Sequence, residues 1–150
     1  MMRALAKENT PDGKKVKELL SKGEFAPTPI VIEAVKKRMK QPDAMKGYVF
    51  DGFPRNTEQA EAMEDKGIEY DHVINLVVSE EEVIKRLTSR GRADDKPEII
   101  KNRIKVYHRE TAPLLQYYKD EIINIKAEGN TPEAIAKEII KKVQWKILTT

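Results

Sequence analysis

Hydrophobic residues recur at helical spacing along much of the chain. Val16, Leu19 and Leu20 predict a helix over residues 12–22, which Gly23 ends as a C-cap. Prolines and polar residues mark the ends of the other helical stretches. Further helices are predicted at about residues 2–8, 27–42, 56–66, 80–90, 96–110 and 132–143.

Three apolar runs predict strands, at residues 47–51, 72–78 and 121–126. The run HVINLVV at 72–78 is nearly continuous and β-branched, which is typical of a strand covered on both faces. Because strands alternate with helices, we expect an α/β fold with a largely parallel sheet.

Two helices are expected to begin at capping boxes, in which a side chain accepts a hydrogen bond from the first turn. Ser79 with Glu82 forms the first box, and Asp95 with Glu98 forms the second. Pro113 should break or kink the helix that the second box begins.

Composition excludes several kinds of protein. The 150 residues suit one domain with a real core, and no apolar run approaches the length that spans a bilayer. The N-terminus does not read as a signal peptide, and without cysteines neither disulfides nor thiolate metal sites can form, so we expect a cytosolic protein. The 28 basic residues are balanced by 25 acidic ones, which does not favour nucleic-acid binding.

The first candidate site lies in GYVFDGFPRNTEQAEAM, residues 47–63, where Asp51 ends a predicted strand. Ligands of parallel sheets bind outside the carboxyl ends of strands, and a carboxylate there can hold Mg²⁺ through water. The alternative is an ordinary Asp-Gly turn, which the proline and helix that follow make less suitable.

Arg55 opens the helix after this strand, where a guanidinium beside free N–H groups suits a phosphate. Gln59 lies one turn later on the same face, and its amide offers the donor and acceptor that an adenine edge requires. The alternative is that both are solvated polar positions on an amphipathic helix.

The second candidate site is an arginine cluster around TSRGRADDKPEIIKNR, residues 88–103. Two of its arginines are four residues apart on one helix face, where like charges repel, so an anion should offset them. Phosphoryl transfer needs such a cationic clamp. The alternative is a solvated, salt-bridged turn in which Asp94 and Asp95 cap the next helix. The clustered arginines are Arg86, Arg90, Arg92 and Arg103.

These motifs resemble the adenylate kinases of the nucleoside monophosphate kinase family. DGFPRNTEQA resembles that family's DGFPR-x-x-x-QA signature, and RGRADD with the VYHRETAPLLQYY segment resembles its short lid and following helices. The resemblance covers about residues 2–143. It implies a single domain with a three-layer, P-loop-kinase-like parallel sheet between helices. Residues 8–42 would form the AMP-binding helices and residues 88–96 the lid.

The resemblance also implies the reaction and its residues. The family transfers a phosphoryl group reversibly, ATP + AMP to 2 ADP, with Mg²⁺. Arg90 would lie toward ATP, Asp51 would organise Mg²⁺ and its water, and Gln59 would read adenine. Cytidylate and uridylate kinases of the family tend to carry Asn at that position, so Gln59 favours AMP over CMP or UMP. Arg3 and Arg55 would hold the AMP phosphate, Gly52 would allow close approach, Glu24, Phe25 and Ala26 would line the pocket, and Arg86, Arg92 and Arg103 would grip the transferred phosphoryl.

One family feature does not occur in these residues. None of the seven glycines lies in a G-x-x-x-x-G-K-[ST] phosphate loop. We therefore expect a chain truncated at its N-terminus, without the first strand, the Gly-rich loop and the first helix. Three interpretations stay open: a truncated adenylate kinase, one part of a split enzyme whose other part acts in trans, and a non-catalytic AMP-binding relative. A complete protein would be expected to be a monomer.

Overall fold

A computed structural model describes residues 1–92 and 94–149, with side chains described as far as residue 144. The chain divides into two compact units, one within Met1–Glu69 and Arg92–Tyr117 and the other within Tyr70–Gly91 and Tyr118–Thr150. No helix in the described ranges is both long enough and apolar enough to cross a membrane.

Across the described residues the secondary structure alternates helices with two strands, which confirms the mixed α/β character with a small parallel sheet. Short 3₁₀ and π turns at Ala44–Lys46 and Tyr107–Thr111 interrupt the first unit. The regular elements in chain order are α1 (Met2–Leu5), α2 (Pro11–Lys22), α3 (Thr28–Met39), α4 (Thr57–Asp65), β1 (Val73–Val77), α5 (Glu80–Ser89), α6 (Pro97–Val106), α7 (Pro113–Tyr117), β2 (Ile122–Lys126) and α8 (Pro132–Thr149).

The first unit is helical, and its helix ends follow the sequence signals. Thr10 caps α2, with its hydroxyl 3.0 Å from the Gly13 amide, and Gly23 ends the helix in the left-handed conformation with φ 78°. Apolar side chains from four helices form its core, in which the fully buried members include Val16, Val35, Met63 and Val106.

The second unit is built on β1 and β2, which pair in parallel with Val73 opposite Ile122. One half of the first predicted capping box is confirmed, because the Ser79 hydroxyl accepts a hydrogen bond from the Glu82 amide at the start of α5. The Ser79 amide, which the box would pair with the Glu82 side chain, donates instead to Glu128 over 3.4 Å. Ser79 also donates to the carboxylate of Glu128 over 2.7 Å. The carboxyl ends of the two strands are thus joined by polar contacts.

The predicted strand at residues 47–51 is wrong. These residues form no strand, and the Val49 side chain is 92% exposed instead of buried. A strand exists only through its hydrogen-bonding partner, and the described part of the first unit offers none. The apolar run therefore has strand composition without a strand.

The prediction that the 72–78 strand is covered on both faces is also wrong. The strand itself forms as β1, but Leu76 and Val77 are each 47% exposed. Successive strand residues point to opposite faces, so both faces are open at this end. In the described residues β1 pairs with β2 along one edge, and its face residues at this end are left partly open.

The helix after the second predicted box differs from the prediction at its start and agrees with it at its end. It begins at Pro97 with Lys96 as N-cap and no side-chain cap, so the prediction that Asp95 caps it is wrong. The expected break at Pro113 is confirmed, because α6 ends at Val106 and a π turn separates it from α7.

Candidate functional site

Arg55 lies in the turn before α4 and folds back on its own loop. Its Nε donates to the Gly52 carbonyl over 2.7 Å, and its guanidinium carbon lies 5.1 Å from the centre of the Phe25 ring, within cation–π distance. Gly52 has φ 74°, and a Cβ at that position would lie 2.7 Å from Arg55 Nη2. The positive φ therefore favours glycine, and a side chain at this position would displace the Arg55 guanidinium from its present place.

The surroundings of Arg55 are electrostatically unusual. Arg55 stays exposed as a residue, yet desolvation by nearby protein atoms lowers the pKa of its guanidinium. The charge of Asp51 opposes this effect, while Arg103 and Arg3 lower the pKa further. Three cations therefore share one electrostatic neighbourhood, and an anion bound there would stabilise all of them.

Asp94 joins two of these arginines. Both oxygens of its carboxylate accept from Arg3, over 3.3 and 2.8 Å, and one of them also accepts from Arg103. These hydrogen bonds, from Arg3 first, lower the pKa of Asp94 to about 2. The structure thus makes Asp94 an internal anion between two predicted phosphate-binding arginines, and not the helix cap of the alternative interpretation.

Asp95 completes this arrangement instead of capping α6. One of its carboxylate oxygens accepts from the Arg92 amide over 3.0 Å, and the other accepts from Arg103 over 3.2 Å. Both carboxylate oxygens are thus bonded to donors outside the first turn of α6, and the expected cap does not form.

Gln59 is 1% exposed, so the alternative that it is a solvated polar position is wrong. Its side-chain Oε1 accepts from the Arg55 backbone amide over 2.8 Å. Its backbone amide donates to the side-chain oxygen of Asn56, the N-cap of α4. The residue predicted to read a base thus also holds the backbone of the residue predicted to bind the phosphate.

The predicted pocket residues lie between α2 and α3 and are held by contacts within the first unit. The Glu24 carboxylate accepts from Asn102 over 3.1 Å and from Arg109 over 3.4 Å. Ala26 is buried, and Phe25 underlies Arg55. Phe25 therefore lies against the arginine turn, whereas Glu24 is held by residues of α6 and of the π turn.

Asp51 is exposed and lines a cavity of about 310 Å³ in the first unit. Val35, Met39 and Phe50 give this cavity an apolar wall. In the described residues no three His, Asp or Glu side chains group as a metal site. Asp43 also lines the cavity but pairs with Arg38, and an accessible carboxylate such as Asp51 fits an ion that is held mostly by phosphate oxygens and water, which is how Mg²⁺ commonly binds.

Arg86 and Arg90 lie in the second unit. The anion expected to offset the charge of Arg86 is a carboxylate of the same helix. The Arg86 guanidinium pairs with Glu82 over 2.7 Å, one helical turn earlier on α5, and reaches the Ala127 carbonyl over 3.5 Å. Arg90 is exposed at the end of the same helix. Arg86 thus reaches the chain just beyond the carboxyl end of β2.

Comparison with known proteins gives the family. The adenylate kinase family model matches residues 1–123. The adenylate kinase of Corynebacterium diphtheriae is 42% identical over 143 residues, covering 93% of this chain and 79% of that protein. That of Corynebacterium aurimucosum is 43% identical over 137 residues, covering 89% and 76%. That of Mycobacterium tuberculosis is 41% identical over 143 residues, covering 93% and 79%.

The chain belongs to the adenylate kinase family. The resemblance inferred from DGFPR and RGRADD is thereby confirmed. Membership makes the chain a relative of phosphotransferases that act on nucleoside monophosphates, and the family in general uses ATP with a divalent metal. The roles of individual residues stay predictions, as do the cytosolic location and the division into AMP-binding helices and lid.

Proposed function

We propose that this chain carries the AMP side of the reversible reaction ATP + AMP to 2 ADP. The observation that carries the proposal is the shared electrostatic neighbourhood of Arg3, Arg55 and Arg103. An aspartate already bridges two of these arginines, so the geometry accepts an anion. The phosphate of a nucleoside monophosphate is an anion of suitable charge and fork-like oxygen geometry.

In this proposal the first unit binds AMP. Arg3 and Arg55 hold its phosphate, Arg92 and Arg103 grip the transferred phosphoryl, and Gly52 lets the backbone approach. Gln59 favours adenine over the pyrimidine of a CMP or UMP kinase. The residues that line the nucleotide pocket are Glu24, Phe25 and Ala26.

Arg86 and Arg90 would serve the ATP side. Asp51 would organise Mg²⁺ through water, and the ion would supply charge neutralisation for the phosphate oxygens. What the chain's own groups contribute is positioning and positive charge, which are the main needs of phosphoryl transfer.

We further propose that these 150 residues alone turn over slowly or not at all. They contain no G-x-x-x-x-G-K-[ST] loop, whose backbone amides and lysine cradle the ATP phosphates in P-loop enzymes. The three-layer sheet of the family would then need a further strand and loop, supplied by adjoining residues or by another chain. The rival proposal is an AMP-binding relative without catalysis.

Isothermal titration calorimetry tests the AMP site. We expect the chain to bind AMP more tightly than CMP or UMP. Arg55→Ala should weaken AMP binding roughly 10- to 100-fold, the scale of a lost charge-assisted hydrogen bond, and should leave adenosine binding unchanged. Lys37→Ala, which removes one exposed positive charge from α3, is the matched control.

Two results would overturn the AMP site: no heat with AMP from folded chain, or equal losses in the Arg55 and Lys37 variants. A coupled assay measures ADP formation separately. Full turnover from the pure chain would contradict the proposed impairment while leaving the AMP site intact. AMP binding with no turnover, even after a phosphate-loop segment is added, would favour the rival relative.

A further inference from the structure

Both backbone polar groups of Arg55 are held by side chains. Its amide donates to Gln59 Oε1 over 2.8 Å, and its carbonyl accepts from the Thr111 hydroxyl over 2.7 Å. Backbone groups in a turn more often bond to other backbone or to water. Fixing both peptide groups fixes the direction of the Cα–Cβ bond, and with it the path of the guanidinium across Phe25.

The Thr111 hydroxyl reaches Arg55 from a π turn. The Ala112 amide donates to the Tyr107 carbonyl over 2.8 Å, which closes one wide turn at Tyr107–Thr111. Pro113 explains the turn, because a proline has no amide hydrogen and its ring excludes the carbonyl four residues earlier in a regular α-helix. The sequence thus builds a local widening that ends at Thr111.

The π turn holds the same loop at a second point. Glu110 accepts from the Asn56 side chain over 3.4 Å and is itself paired with Arg109 over 2.6 Å. Asn56 in turn caps α4 by accepting from the Gln59 amide. Adjacent residues of the π turn therefore hold the two adjacent residues of the arginine turn.

We infer that Thr111 is a positioning residue for Arg55. Its hydroxyl fixes the Arg55 peptide, so that the guanidinium is held in place for the anion before the anion arrives. Part of the ordering cost of binding is then already met in the folded chain. The inference rests on the proposed AMP site. It gives the π turn, which lies outside both DGFPR and the arginine cluster, a part in holding Arg55.

The test compares Thr111→Val, which removes the hydroxyl at similar shape, with Thr111→Ser, which keeps it. Calorimetry should show that Thr111→Val weakens AMP binding about three- to tenfold, the scale of one hydrogen bond, with adenosine binding unchanged. Thr111→Ser should bind AMP as the natural chain does. In an Arg55→Ala background, Thr111→Val should have no further effect on AMP affinity, because the two residues act as one unit.

NMR of the arginine side chains supplies a readout without nucleotide. The Arg55 Nε–H signal, assigned by its loss in Arg55→Lys, should shift and exchange faster with water in Thr111→Val and stay unchanged in Thr111→Ser. Thr111→Ala provides the same loss where the valine variant does not fold. An unchanged Nε–H signal in the valine or alanine variant would overturn the inference.

The two readouts separate the possible failures. No AMP binding by the natural chain contradicts the proposed AMP site, and the Nε–H signal still decides whether Thr111 orders Arg55. Normal AMP binding with equal affinity in Thr111→Val contradicts the positioning role alone. A loss of AMP affinity that adds fully to that of Arg55→Ala would show that Thr111 acts on some other group.

Discussion

Asp94 shows how one carboxylate can organise a cationic site. It bridges Arg3 and Arg103, and its pKa of about 2 lies well below the ordinary value of 3.8. The unfolded chain therefore binds this proton at higher pH than the folded chain. The resulting stability is fully present above about pH 4 to 5 and is lost as the pH falls towards 2.

We expect Asp94→Asn to lower the free energy of unfolding by about 2 kcal/mol at pH 7, the value of the pKa shift. Urea unfolding at pH 7, 5, 4 and 3 measures it. The difference between the natural chain and the variant should shrink steadily below pH 4, because the natural carboxylate is then progressively protonated in the unfolded state.

Asp43→Asn is the matched control for this experiment. Asp43 also accepts two hydrogen bonds from one arginine, Arg38, but both side chains are largely exposed. Salt and water screen such a pair, so its loss should change stability less and should respond to added salt. Equal effects of the two substitutions at every pH would contradict the account of Asp94.

At the scale of single elements, the sequence predicts what is decided within one turn of chain. Gly23 and Ser79 act as caps where expected, and Thr10 caps α2 in the same way, because each cap bonds to residues three or four positions away. Asp95 does not cap α6, because its oxygens accept from the Arg92 amide and from the guanidinium of Arg103, a partner eight residues away that the cap pattern does not include.

Non-local partners explain the other differences between expectation and structure. The 47–51 segment has strand composition, but strand formation needs a neighbour that the local sequence does not contain. The contact from Thr111 to the Arg55 carbonyl spans 56 residues and had no local signal beyond the nearby proline. The arginines of the site were predictable as residue types at motif positions, whereas the residues that hold them were not.

The cap of α2 gives a prediction at this scale. Thr10→Ala should lower the free energy of unfolding by about 1 kcal/mol, because the Gly13 amide loses its acceptor. Denaturant unfolding followed by circular dichroism measures the change. Ser21→Ala, near the other end of the same helix, is the control.

Ser21 bonds back to the Glu18 carbonyl on an exposed surface, and alanine is a better helix former, so its replacement should be neutral or slightly stabilising. A loss at Ser21 as large as that at Thr10 would mean that α2 is not stabilised mainly at its first turn.

At the scale of the whole molecule, we expect the small, partly exposed sheet to contribute least to stability. β1 and β2 form a two-stranded parallel sheet, an arrangement that is normally part of a larger buried sheet. The exposure of Leu76 and Val77 leaves apolar surface on both faces of β1. A further parallel strand along the other edge of β1, with its helix, would cover apolar surface and pair backbone groups that β2 does not reach.

We therefore expect a peptide with a strand, a G-x-x-x-x-G-K-[ST] loop and the following helix to stabilise the chain. The thermal midpoint should rise with peptide concentration, as it does for any ligand that binds only the folded state. If the peptide also completes the ATP site, ADP formation from ATP and AMP should appear in the same titration.

A second peptide, in which alanine replaces the loop lysine, separates these two effects. It should raise the thermal midpoint as much as the first, because its strand is intact, and should support far less turnover, because the lysine contacts the phosphates. No shift in the thermal midpoint with either peptide would contradict the prediction that the free edge of β1 accepts a further strand. A shift with both peptides and turnover with neither, together with AMP binding in calorimetry, would favour the relative without catalysis. Equal turnover with both peptides would show that phosphoryl transfer by the chain does not depend on the loop lysine.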